Sequence, residues 1–86
     1  MTEREIYDAL TVIFEATFKR TGMRLSPAMT AADVPGWDSF RFISLIMKTE
    51  ERFSLKFSDA DLDDLNNVGD LANAVARKLT ARATPT

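Results

Sequence analysis

Apolar side chains in the stretch EREIYDALTVIFEATF recur at three- and four-residue steps, at Ile6, Leu10, Ile13, Phe14 and Thr17/Phe18. That spacing lays a continuous stripe along a helix and none along a strand. It predicts a helix from Thr2 to about Thr21, with Glu3, Glu5 and Asp8 near its positive end. Gly22 is placed to end it, just past the C-cap. The stripe must be buried against something, and 86 residues supply one core, not two.

Two later stretches have the matching period. In "DVPGWDSFRFISLI" a loop breaks into a second helix, predicted from Ser39 to about Phe53. Asp38 is its N-cap, its carboxylate accepting from amides that the helix leaves unpaired. Trp37 and Phe42 then hold the N′ and N4 positions of a hydrophobic staple. Phe40, Ile43 and Met47 form one stripe, with Phe42, Ile46 and Phe53 beside it, an arc broader than a core-facing stripe needs. Some of these side chains are therefore expected to be exposed near the helix start and open to a partner.

Ser58 and Asp61 make a capping-box start for a short third helix running to Leu65, with Leu62 and Leu65 facing in. Asn67 caps a last helix with Asp70 in its first turn, Val68, Leu71, Val75 and Leu79 on its core face, and Ala72 and Ala76 allowing close approach. Between the first two helices, Met23 to Trp37 has Pro27, Pro35 and Gly36 and no period. This is a long loop, pinned by Met23, Leu25, Met29 and Val34. The expected fold is all-α: a four-helix bundle of three longer helices, one short third helix and a long first loop. One domain is expected over 1–81, with a flexible tail over 82–86.

Composition removes several functions. With no Cys and no His, the chain has no thiolate nucleophile, imidazole base or Cys/His metal site, so no catalytic residue and no metal ligand is assigned. Any reactive group is expected to come from elsewhere. A net charge of −2 on mixed signs argues against non-specific nucleic-acid binding. No apolar run approaches the roughly 20 residues of a membrane span. The charged start, MTEREIYDAL, lacks the apolar stretch of a secretion signal. A soluble, cytoplasmic, monomeric protein is the expectation.

Ser39 has two readings. Serine is common at helix starts, where its oxygen satisfies a free amide. Here, however, Asp38 already caps the helix, which leaves the Ser39 hydroxyl free to point outward. A helix N-terminus also favours a phosphate. The segment GWDSF, Gly36–Phe40, resembles the GxDSL attachment motif of acyl carrier proteins. The similarity continues through ISLIMKTEERFSLKFSDADLDDLNNVGDL: an apolar helix, a Glu-Glu pair, a Phe, an acidic short helix and a capped last helix.

By that resemblance, a phosphopantetheinyl transferase uses coenzyme A and Mg²⁺ to attach 4′-phosphopantetheine to Ser39. The arm's thiol then holds acyl groups for acyl-activating or acyl-transferring enzymes, in fatty-acid, lipid or polyketide-type biosynthesis, the chemistry belonging to the cofactor. The protein itself is a carrier and not an enzyme. The resemblance places Asp38 and Phe40 beside the attachment point and implies partner contacts at Phe40, Arg41, Ser44, Met47, Glu50, Glu51, Phe57 and Asp59. The acids among them serve encounter and orientation more than affinity. Leu62, Leu65 and Leu71 match positions bordering an acyl-sheltering space, although their bulk argues against a roomy cavity.

Other readings of these residues stay open. Phe40, Met47 and the three leucines also fit plain core packing, and the glutamates a solvated face. Fatty-acid carriers usually have Leu, an acid and a Glu where this chain has Phe40, Arg41 and Ser44. From Asp38 to Leu65 seven acids are interrupted by four bases, Arg41, Lys48, Arg52 and Lys56. A specialised carrier is therefore expected, since partners that read a uniformly negative helix should bind it less well. Two alternatives remain: an aminoacyl or peptidyl carrier of a non-ribosomal-peptide-type pathway, and an unmodified docking module using Trp37, Phe40 and Phe42.

Overall fold

A computed structural model describes residues 1–83. Four helices follow in order: α1 (Glu3–Phe18), α2 (Ser39–Phe53), α3 (Asp59–Asp63) and α4 (Val68–Ala83), with a single 3₁₀ turn, Ala31–Asp33, in the long first loop. α1 packs on both α2 and α4. Its predicted stripe is the centre of the core: Ile6, Leu10, Ile13, Phe14, Thr17 and Phe18 are all buried. Leu45, Ile46 and Phe53 of α2 and Val68, Leu71 and Val75 of α4 complete it, with Leu79 half-buried. The two buried threonines are satisfied within their own helices, Thr17 donating to the Ile13 carbonyl at 2.8 Å and Thr49 to that of Leu45 at 2.7 Å.

The first helix ends earlier than predicted, and not at Gly22. Lys19 takes the left-handed conformation (φ 54°) as C-cap. The Glu15 carbonyl accepts from both Lys19 and Arg20, and the Glu15 carboxylate accepts the Met23 N–H at 3.1 Å. One residue thus closes the helix and turns the chain, so no glycine is needed there. The fourth helix continues to Ala83, two residues past the expected domain end at 81. The remainder of that expected tail, 84–86, lies outside the described residues.

The long loop is held by hydrogen bonds as well as by its apolar anchors. Val34 is buried, while Met23, Leu25 and Met29 are half-buried against the core. Thr30 and Asp33 cap the 3₁₀ turn reciprocally. The first N–H groups of α4, which a helix cannot satisfy internally, are taken by the loop: Val68 donates to Met29 O at 2.8 Å and Gly69 to Pro27 O at 2.9 Å. Asn67 then caps the third, accepting the Asp70 N–H at 2.8 Å. A side chain at Gly69 is crowded, since a Cβ would lie 3.0 Å from both the Cβ and the carbonyl oxygen of Pro27. Among the described residues no helix is long and apolar enough to cross a membrane.

Candidate functional site

The turn before α2 places its first residues. Gly36 has φ 88°, a conformation that disfavours a side chain. The turn that follows brings the Trp37 ring edge-on to Phe14, with centroids 5.5 Å apart and planes at 80°, and within 5.9 Å of Phe18. Trp37 is thus seated on α1, and the next residue, Asp38, is presented at the mouth of α2. Asp38 caps as predicted, its Oδ1 accepting the Arg41 N–H at 2.8 Å. Its Oδ2 pairs with Arg41 Nη1 at 3.2 Å, and the same nitrogen donates to the Gly36 carbonyl at 3.3 Å.

Ser39, the first residue of the helix, is exposed. Its hydroxyl makes no hydrogen bond to any described residue, because Asp38 has taken the capping role. Beside it lies an open hollow of about 520 Å³ whose walls include Trp37, Phe42, Leu62 and Leu65. Leu71, expected with those leucines, is instead buried in the core at 3% exposure and does not reach the hollow. An exposed, unengaged hydroxyl on a rigid helix start, with an open apolar hollow alongside, fits a covalently attached arm.

The other predicted contacts separate into two groups. Phe40, Ile43 and Met47 are 81%, 59% and 63% exposed, so this stripe is a surface ledge, not core. With Ser44, Lys48 and Glu51 it lines a second, shallow hollow of about 440 Å³. Glu50 lines an adjoining hollow with Met47 and Glu51 rather than this one, and its Oε2 accepts the Phe57 N–H at 2.8 Å, tying the end of α2 to the approach to α3. Phe57 is half-buried against the core, with the Lys78 ammonium 5.8 Å from its ring centre. Asp59 is exposed at the start of α3 and does not line the ledge hollow.

Trp37, Phe40 and Phe42 do not make a common exposed patch, because Trp37 and Phe42 turn towards the core and Phe40 away from it. Sequence reasoning placed Ile43 in the Phe40–Met47 stripe without naming it as a partner contact, and it missed Lys48, although the i, i+4 spacing from Ser44 places it on the ledge. It also missed the Asp61–Lys78 ion pair at 2.7 Å.

The family model for the phosphopantetheine attachment site matches residues 8–75. The structure is similar to the solution structure of a holo acyl carrier protein from Geobacter metallireducens. The TM-score is 0.84 at 38% identity, covering 90% of this chain and 88% of that one. In sequence, the chain is 30% identical to a putative mitochondrial acyl carrier protein of Schizosaccharomyces pombe over 59 residues, 69% of this chain and 53% of that protein. It is 39% identical to an acyl carrier protein of Thermotoga maritima over 44 residues, 51% of this chain and 54% of that protein. The matches thus span about half the length of these curated relatives. The fold, the serine-bearing helix start and a family match spanning most of the sequence agree: the chain belongs to the phosphopantetheine-attachment family of acyl carrier proteins.

Proposed function

We propose that the chain is a non-catalytic acyl carrier whose Ser39 oxygen bears 4′-phosphopantetheine. The observation that carries this reading is the division of labour at the helix mouth. Asp38 caps the helix, and the Ser39 hydroxyl is left exposed and unengaged. When bound, the arm supplies a terminal thiol that carries an acyl group as a thioester.

The chain's own residues present the arm. Trp37, wedged on Phe14 and Phe18, and the Asp38 cap hold the attachment point rigid. The ledge of Phe40, Ile43 and Met47, edged by Ser44, Lys48 and Glu51, is the surface that the transferase and acyl-transferring enzymes engage. Phe40 and Met47 serve there as apolar anchors, the kind of residue on which binding energy concentrates. Asp59, at the start of α3, adds an acidic contact for long-range orientation. The hollow at Leu62 and Leu65 is shallow and open, which supports a short or transiently seated cargo.

The mixed charge along α2 supports service to a dedicated set of enzymes in fatty-acid, lipid or polyketide-type biosynthesis. Efficient turnover by standard fatty-acid elongation enzymes counts against that specialisation. Attachment is tested by intact mass after incubation with coenzyme A, Mg²⁺ and a broad-specificity phosphopantetheinyl transferase. Wild type gains the mass of the arm and Ser39→Ala does not; an unmodified wild type refutes the carrier reading.

A further inference from the structure

We infer that Arg41 is a positioning residue for the phosphodiester that links the arm to Ser39, an inference that rests on Ser39 being the attachment point. Both groups that Arg41 Nη1 contacts, the Gly36 carbonyl at 3.3 Å and Asp38 Oδ2 at 3.2 Å, precede Ser39 in the chain. The guanidinium therefore folds back toward the turn before α2, onto the residues that lead into the attachment point. Only one of its nitrogens is used: neither Nε nor Nη2 donates to a described residue. A guanidinium has five donors in a planar fork that matches phosphate oxygens. The side chains of Arg41 and Asp38 are 47% and 57% exposed, so both are open to solvent at the helix mouth.

Attachment makes this cation matter. A phosphodiester adds a full negative charge beside the Asp38 carboxylate, at a helix mouth where the Arg41 N–H is already committed to Asp38 Oδ1. Two neighbouring anions repel unless a cation bridges them, and Arg41 already contacts one of the two. Its free donors take the phosphate while Nη1 keeps Asp38. The bridge fixes the root of the arm over the start of α2.

The test separates this role from a structural one. Wild type, Arg41→Gln and Arg41→Lys are each melted before and after loading, with intact mass verifying the arm. Loss of the Asp38 pair alters the unloaded and loaded forms alike, so only a contact with the added phosphate makes the change on loading differ. Loading is expected to lower the melting temperature of Arg41→Gln by about 4–8 °C relative to its effect on wild type. Arg41→Lys should recover part of this, and the difference should shrink near 1 M salt. An equal change in wild type and Arg41→Gln overturns the role of Arg41 and leaves Ser39 as the attachment point. Loading of wild type but not of Arg41→Gln at stoichiometric transferase also overturns it, assigning Arg41 to the transferase's recognition instead. If none of the proteins gains the arm, the attachment reading fails first and this inference with it.

Discussion

The Lys78 ammonium lies 2.7 Å from Asp61 Oδ2 and ties α4 to a helix of five residues. A helix that short has little stability of its own, since isolated helices under roughly 12 residues are marginal in water. The same carboxylate oxygen accepts the Ser58 N–H at 2.8 Å, so one acid both caps α3 and docks it. Because α3 carries Leu62, a wall of the hollow beside Ser39, this pair sets one boundary of the candidate site.

The pair predicts a pH dependence. Lys78 foremost, then Ser58, holds the Asp61 carboxyl at about 2, below its ordinary 3.8. A depressed carboxylate stabilises the fold fully above its unfolded-state value and loses that contribution as pH falls towards its folded value. The melting temperatures of wild type and Asp61→Asn should therefore differ most at neutral pH and converge as pH drops from about 4 to about 2. A gap that stays constant over that window contradicts the assignment.

Neighbouring residues at the helix mouth should respond oppositely. Asp38→Ala removes an N-cap and should cost about 1 kcal/mol, a fall of about 4–8 °C in a domain of this size. Ser39→Ala removes an exposed, unengaged hydroxyl and should stay within about 0.5 kcal/mol while abolishing attachment. Chemical denaturation and intact mass on the same two variants check both halves.

Gly69→Ala should reverse the usual sign of a helical glycine substitution. In an open helix the change gains about 1 kcal/mol. Here the new methyl meets the Pro27 carbonyl and ring at 3.0 Å, and overpacking of that kind costs about 1–3 kcal/mol. Asn73→Ala, exposed on the same helix, is the control that should stabilise slightly. Urea midpoints of the two variants, compared with wild type, decide it.

Substitutions on the two sides of α2 should separate stability from partner use. Phe40→Ala and Met47→Ala, on the exposed ledge, should change stability by less than about 0.5 kcal/mol and lower kcat/KM of the transferase or an acyl-transferring enzyme about tenfold or more. Leu45→Ala, fully buried, should cost about 2–5 kcal/mol. Equal turnover of Phe40→Ala and wild type by every partner tried removes the ledge from the recognition surface.

Features whose two halves lie within one helical turn of each other could be read directly from the chain. The Asp38 cap, the Ser58–Asp61 box and the Asn67 cap each join residues three apart. The α1 stripe likewise follows from spacing alone. Bonds between distant residues could not be read in this way. Nothing local in Glu50 distinguishes it from Glu51, yet Glu50 is bonded to Phe57 and half-buried while Glu51 is exposed on the ledge. Gly22 carried the expected chemistry of a helix stop, but Glu15 closed α1 at Lys19 first.

By itself, the sequence determined four helices, the N-caps of the last three and a serine at a helix start freed by its neighbour, because these depend on periodicity and on short-range hydrogen bonds. The wide apolar arc of α2 showed that some side chains must be exposed, not which ones. Only the packing of α1 against α2 decided that Leu45, Ile46, Thr49 and Phe53 are covered and that Phe40, Ile43 and Met47 face solvent. Tertiary structure likewise returned the loop to α4 through Pro27 and Met29, and joined Lys78 to Asp61. Burial is a property of pairs of surfaces, and a chain read in one dimension specifies only one surface of each pair.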